Sequence, residues 1–149
     1  MQQSSLPLYV KRKDETVKTG AISEYHFGRY FWGALLDATA ECELQPEDGE
    51  LVITAGCEPD PVHSTGSTHF DAKAIDVRIY NLVGLDGLSV YSPRWWQHMV
   101  VWATTAAVAM PEYVFVLERN HLHIQVGYDN MVSRPMVHII PNLYIPHGL

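Results

Sequence analysis

The runs YVFVLE and HLHIQVG, at residues 113–118 and 121–127, are separated only by Arg119-Asn120. Both runs are strand-like, and parallel neighbours need a crossover of a dozen or more residues, so a two-residue gap predicts an antiparallel hairpin. Asn120 suits the turn because asparagine tolerates positive φ. Alternation along the second run sends His121 and His123 to one face and Leu122 and Ile124 to the other. A His-x-His pair taken alone fits ordinary surface or hydrogen-bonded histidines as well as a ligand pair. The rest of the chain has to distinguish them.

Ser23 is placed to cap a helix running to about residue 44, with Phe27, Phe31, Leu35, Ala38 and Cys42 at three- and four-residue steps along a core face. Pro46 and Asp48-Gly49 read as a turn, and Leu51–Ala55 as a buried strand. Residues 74–80 alternate Ala74, Asp76 and Arg78 against Ile75, Val77 and Ile79, which predicts a strand with Asp76 on its polar side. A loop through Gly84 and Gly87 follows. Ser92-Pro93 then supplies an N-cap and a first-turn proline for a helix through Met110, in which Trp95, Val101, Trp102 and Ala106 read as packing residues. The tail, with Pro135, Pro141 and Pro146, reads as a surface wrap. The order helix, strand, strand, helix, hairpin predicts an α+β chain, one domain over residues 1–149, with a mainly antiparallel sheet and flanking helices.

Composition narrows the partners. A chain of 149 residues that is 47% hydrophobic can bury a core without metal or disulfide staples, so a metal here would serve chemistry rather than folding. The formal charge of -7, with Lys11-Arg12-Lys13 as the local basic cluster, argues against nucleic-acid binding. Cys42 and Cys57 lack the spacing of a disulfide scaffold and read as buried free thiols. No apolar run has the length of a signal peptide or a membrane span, which predicts a soluble protein made in the cytoplasm without a membrane partner.

A second group of polar residues lies upstream, where HSTGSTHFDAKAIDVRIYN contains His63, His69, Asp71 and Asp76. Seven positions separate His69 from Asp76; that is about 10.5 Å of helical rise or about 23 Å of extended chain, too far for one metal unless the chain turns between them. Asp71-Ala72 permits such a turn. A catalytic zinc takes three His or carboxylate ligands and leaves one position for water. His69, Asp76 and one histidine of the His121/His123 pair would make that set, whereas an ion pair of Asp76 with Arg78 or a lysine and a turn-capping His69 would be its structural counterpart.

The stretch Ser67-Thr68-His69-Phe70-Asp71-Ala72-Lys73-Ala74-Ile75-Asp76 resembles the Ser-x-His-x-x-Gly-x-Ala-x-Asp block of the zinc D-alanyl-D-alanine metallopeptidases. That group includes carboxypeptidases, dipeptidases, L-alanyl-D-glutamate endopeptidases and phage endolysins, and it shares its metal site with lysostaphin-like enzymes and the hedgehog signalling domain. Glu118-Arg119-Asn120-His121-Leu122-His123 is similar to the second block of the family, and the resemblance covers residues 51–127.

The resemblance implies a hedgehog-like or D-Ala-D-Ala peptidase-like fold with Zn2+ held by His69, Asp76 and His123. His121 and Glu118 would be the catalytic pair, handling the water that attacks an amide bond of a peptidoglycan stem peptide. Other members use a Glu-x-x-His form, which would make His121 the ligand and Glu118 the base. Two positions depart from the family. Ala72 replaces a glycine, and Ala55-Gly56-Cys57-Glu58 stands where the family has Ser-Gly-Tyr-Arg, so Glu58 replaces an arginine that stabilises the oxyanion or binds substrate. The alternative implied by that loss is a zinc-containing binding or virion-structural module with little or no turnover. Without a signal peptide, a cell-wall enzyme of this kind would be phage-encoded, released to the wall or carried in a virion.

Overall fold

The computed structural model describes residues 6–58, 73–127 and 136–140. Ser23 caps the first helix as its sequence predicts, its Oγ accepting from Tyr25 N at 3.1 Å, but α1 spans only Glu24–Phe27. Gly28 then breaks the run and α2 continues over Arg29–Glu41, so the single predicted helix is two. The glycine is required because a Cβ there would lie 2.1 Å from the Glu24 carbonyl oxygen. Phe27, Phe31, Leu35 and Ala38 are buried along one face, while Cys42 packs only partly against the core. Cys42 and Cys57 are free thiols as expected, but both are half-buried.

Two small strands that no hydrophobic period marks, β2 (Leu44–Pro46) and β5 (Leu82–Gly84), pair antiparallel, with Asp48 and Gly49 at positive φ in the turn that follows β2. The third helix, α3, spans Pro93–Ala109, with Ser92 Oγ accepting from Trp95 N at 3.1 Å. Trp95, Trp102 and Ala106 are fully buried. Val101 is not part of that packing, being 56% exposed, because it lies off the stripe that contains Trp95, Met99, Trp102 and Ala106. The indoles are also bonded: Trp95 Nε1 donates to the Leu82 carbonyl and Trp102 Nε1 to Thr39 Oγ1.

The main sheet contains β1 (Val10–Arg12), β3 (Leu51–Ala55), β4 (Ala74–Arg78), β6 (Tyr113–Leu117), β7 (His121–Val126) and β8 (Met136–Ile139), in the order β1-β3-β4-β7-β6-β8. Its centre is antiparallel, from β3–β4 through β4–β7 to β6–β7, while β1–β3 and β6–β8 are parallel. The chain is therefore α+β with a mixed sheet. The predicted sheet lacks these parallel edges because neither edge segment reads as a strand: β1 falls in the basic Lys11-Arg12-Lys13 stretch, and β8 in the tail expected to wrap the surface. Pro135, Pro141 and Pro146 lie outside the described residues.

One sheet face carries Ile75, Val77, Leu122, Ile124, Phe115 and Leu117, which form one core cluster with α2 and α3. Each large side chain buried in this way contributes about 1.5–3 kcal/mol relative to exposure. No helix among the described residues is long and apolar enough to cross a membrane.

Candidate metal and hydrolytic site

The opposite face of the central strands carries the polar residues. In β4 and β7, Asp76 is registered with His123 and Arg78 with His121. Cross-strand partners share a face, so alternation places Asp76, Arg78, His121, His123 and Gln125 together. A bulge sits beside Asp76, because Ile53 pairs with Val77 but Ala55, two positions on, pairs with Asp76. The extra residue is Thr54. Such bulges re-aim neighbouring side chains and are over-represented next to active sites.

The two Asp76 oxygens approach different histidines. Oδ1 lies 3.0 Å from His123 Nδ1, and Oδ2 lies 3.6 Å from His121 Nε2. His123 Nε2 is 2.8 Å from Gln125 Oε1, so both ring nitrogens face oxygen. Burial works against the charged imidazole, but the hydrogen bonds with Asp76 and Gln125 and the nearby Asp76 and Glu118 charges outweigh it, leaving the His123 pKa raised. Asp76 is not paired with Arg78 by any ion pair, contrary to the structural counterpart.

The β6–β7 hairpin closes as its two-residue gap predicts, with Glu118 N donating to the His121 carbonyl at 2.9 Å. Asn120 does not adopt positive φ. The non-glycine positions that do, among the described residues, are Glu43, Asp48 and Tyr91. Instead the Asn120 side chain turns to His121, Oδ1 lying 2.7 Å from Nδ1, while Glu118 Oε2 lies 2.9 Å from Nε2. His121 is thus gripped at both nitrogens. Glu118 is more open than the other acidic and imidazole groups, its side chain 40% exposed against 24% for His121 and 14% for Asp76 and for His123.

Four of the five site residues expected from sequence, Asp76, Glu118, His121 and His123, meet on this face. The fifth, His69, lies outside the described residues, as do His63, Asp71 and Ala72. Among the described residues no three His, Cys, Asp or Glu side chains form a complete metal-ligand set. The donor chemistry nevertheless suits zinc: bonds of about 2.0–2.2 Å in a tetrahedral site put ligand atoms about 3.4 Å apart. Asp76 lies 3.0 Å from His123, a little under that spacing, and 3.6 Å from His121, the ligand of the alternative Glu-x-x-His form. Gln125 was missed in the sequence, although it continues the alternation of His121 and His123.

Glu58 serves the fold. It is 6% exposed, and its carboxylate accepts from Gly56 N at 2.8 Å and from Lys18 N at 2.7 Å. Cys57 N donates back to the Lys18 carbonyl at 2.7 Å. A Cβ at Gly56 would meet that carbonyl at 2.1 Å, so only glycine admits this approach. Glu58 clamps the N-terminal segment to the end of β3.

In comparison with known proteins, the chain matches no family model and no curated protein.

Proposed function

We propose that the chain is a zinc-dependent peptidase with the fold of the D-Ala-D-Ala metallopeptidases, hydrolysing an amide bond in peptidoglycan stem peptides. The observation that carries this reading is Asp76, whose two oxygens lie 3.0 Å from His123 and 3.6 Å from His121 on a face opposite the core. Its second support is the order of the two sequence blocks around these residues.

His69, Asp76 and His123 would hold the ion. When bound, zinc supplies Lewis acidity, polarising the scissile carbonyl and acidifying water. The protein's own groups do the rest. Glu118 Oε2, half-open and 2.9 Å from His121 Nε2, can take a proton at that oxygen and return it to the leaving amine. Asn120 and Glu118 together fix the His121 ring plane, so its Nε2 is oriented before substrate arrives. Asp76, hydrogen-bonded to His123 Nδ1, holds that ring in place.

A second reading, a zinc-containing module that binds cell wall or virion protein without turnover, is favoured by one observation. Glu58 is committed to backbone amides where the family has its arginine.

The test is bound zinc together with turbidity loss of purified cell walls, for wild type, His123→Ala and Asp76→Ala. Stoichiometric zinc and lysis by wild type alone are expected. A zinc-free wild type, or equal lysis by all three, overturns the peptidase; full zinc with tight wall binding and no released peptide selects the second reading.

A further inference from the structure

Arg78 follows Asp76 by two positions in β4 and is registered with His121 across the sheet. Same-side positions along a strand are about 6.6 Å apart, so Arg78 stands on the polar face one same-side position along β4 from Asp76. The side chain is held in place. Its Cζ lies 4.8 Å over the Tyr80 ring, Tyr80 stacks on Tyr91, and Tyr91 packs against the buried Trp95. Tyr91 adopts φ 67°, a left-handed conformation uncommon for an aromatic residue, to complete this stack.

The charge is nevertheless unanswered. Nε is buried without a hydrogen-bond partner, and among the described residues no carboxylate forms an ion pair with this guanidinium. An arginine fixed by a ring stack and lacking an anion is poised for a carboxylate, which its terminal nitrogens can grip in a fork.

We propose that Arg78 binds the free C-terminal carboxylate of the substrate peptide, one residue beyond the scissile amide, and so makes the site a carboxypeptidase rather than an endopeptidase. The identity of the peptide rests on the function proposed above; the preference for a carboxylate rests on Arg78 itself. The surroundings sharpen the expectation. With a net charge of -7, and Asp76 and Glu118 close by, the site without Arg78 repels an anionic terminus.

The experiment is calorimetric titration of the full chain, treated with chelator so that no turnover occurs, with diacetyl-L-lysyl-D-alanyl-D-alanine and with its C-terminal amide. Wild type should bind the acid roughly 10-fold or more tighter than the amide, as expected for a charge-assisted contact. Arg78→Gln should abolish or reverse that preference. Arg78→Lys, which keeps the charge and loses the fork, should reduce it. Equal affinity of wild type for the two peptides, binding of neither, or a preference that survives both Arg78 variants overturns the assignment. A preference lost in Arg78→Gln, in a protein that takes up no zinc and releases no alanine, upholds Arg78 while rejecting the peptidase.

Discussion

Asp76 and His123 face each other across the β4–β7 pair, with Oδ1 and Nδ1 3.0 Å apart and each side chain 14% exposed. Asp76→Asn preserves the shape and removes the charge that makes the carboxylate a ligand. Zinc affinity should fall by more than the roughly 10–100-fold that loss of an outer partner of a ligand costs. Equilibrium dialysis against a zinc buffer measures this, and unchanged affinity would falsify a ligand role for Asp76.

Glu118→Gln separates proton handling from metal holding. The amide still reaches His121 but takes no proton, so zinc content should be unchanged while kcat falls by about 100-fold or more. Stem-peptide hydrolysis followed by mass spectrometry provides the rate. A variant with wild-type kcat would leave Glu118 as an orienting partner of His121.

Removing Glu58 should destabilise the fold rather than slow the chemistry. Glu58→Ala leaves the amides of Lys18 and Gly56 without their acceptor, at a cost of about 2–4 kcal/mol, visible as a lower urea midpoint. Glu58→Arg, which restores the residue type of the family, should be at least as destabilised and gain no activity. A stable, more active Glu58→Arg would contradict the clamp.

Tyr113 sets an alkaline limit. Burial, the Glu112 charge and Tyr25 raise its pKa well above the ordinary tyrosine value, and its hydroxyl donates to the His26 carbonyl. Because the folded value is the higher one, this contribution is complete below about pH 10 and is lost as pH rises beyond it, by up to about 1.4 kcal/mol per unit. Tyr113→Phe should cost about 1 kcal/mol at neutral pH, from the lost hydrogen bond, and show a flatter decline above pH 10. Urea titrations from pH 7 to 11 compare the two slopes.

Long periodic elements were legible in the sequence. Ser92-Pro93 marks the start of α3, and the Arg119-Asn120 gap marks the hairpin whose alternation brings His121 and His123 to one side. Three-residue strands such as β1, β2 and β5 are too short to display an alternation and acquire their identity only from a partner strand. The break at Gly28 and the bulge at Thr54 depend on contacts that composition does not encode. Glu58 reads as a loss when set against the family pattern. Its amide partners at Lys18 and Gly56 are separated from each other by thirty-eight positions, a proximity that only the tertiary structure reveals.

The strands that carry Asp76, His121 and His123 are the third and fourth of six, flanked on both sides by further strands. Their amide protons should be among the last to exchange with deuterium, since opening them requires the edges to separate first. Asp76, His121 and His123 are therefore mounted on backbone that, among the described residues, is the hardest to open, and a ligand meeting these three side chains does not have to order the strands beneath them.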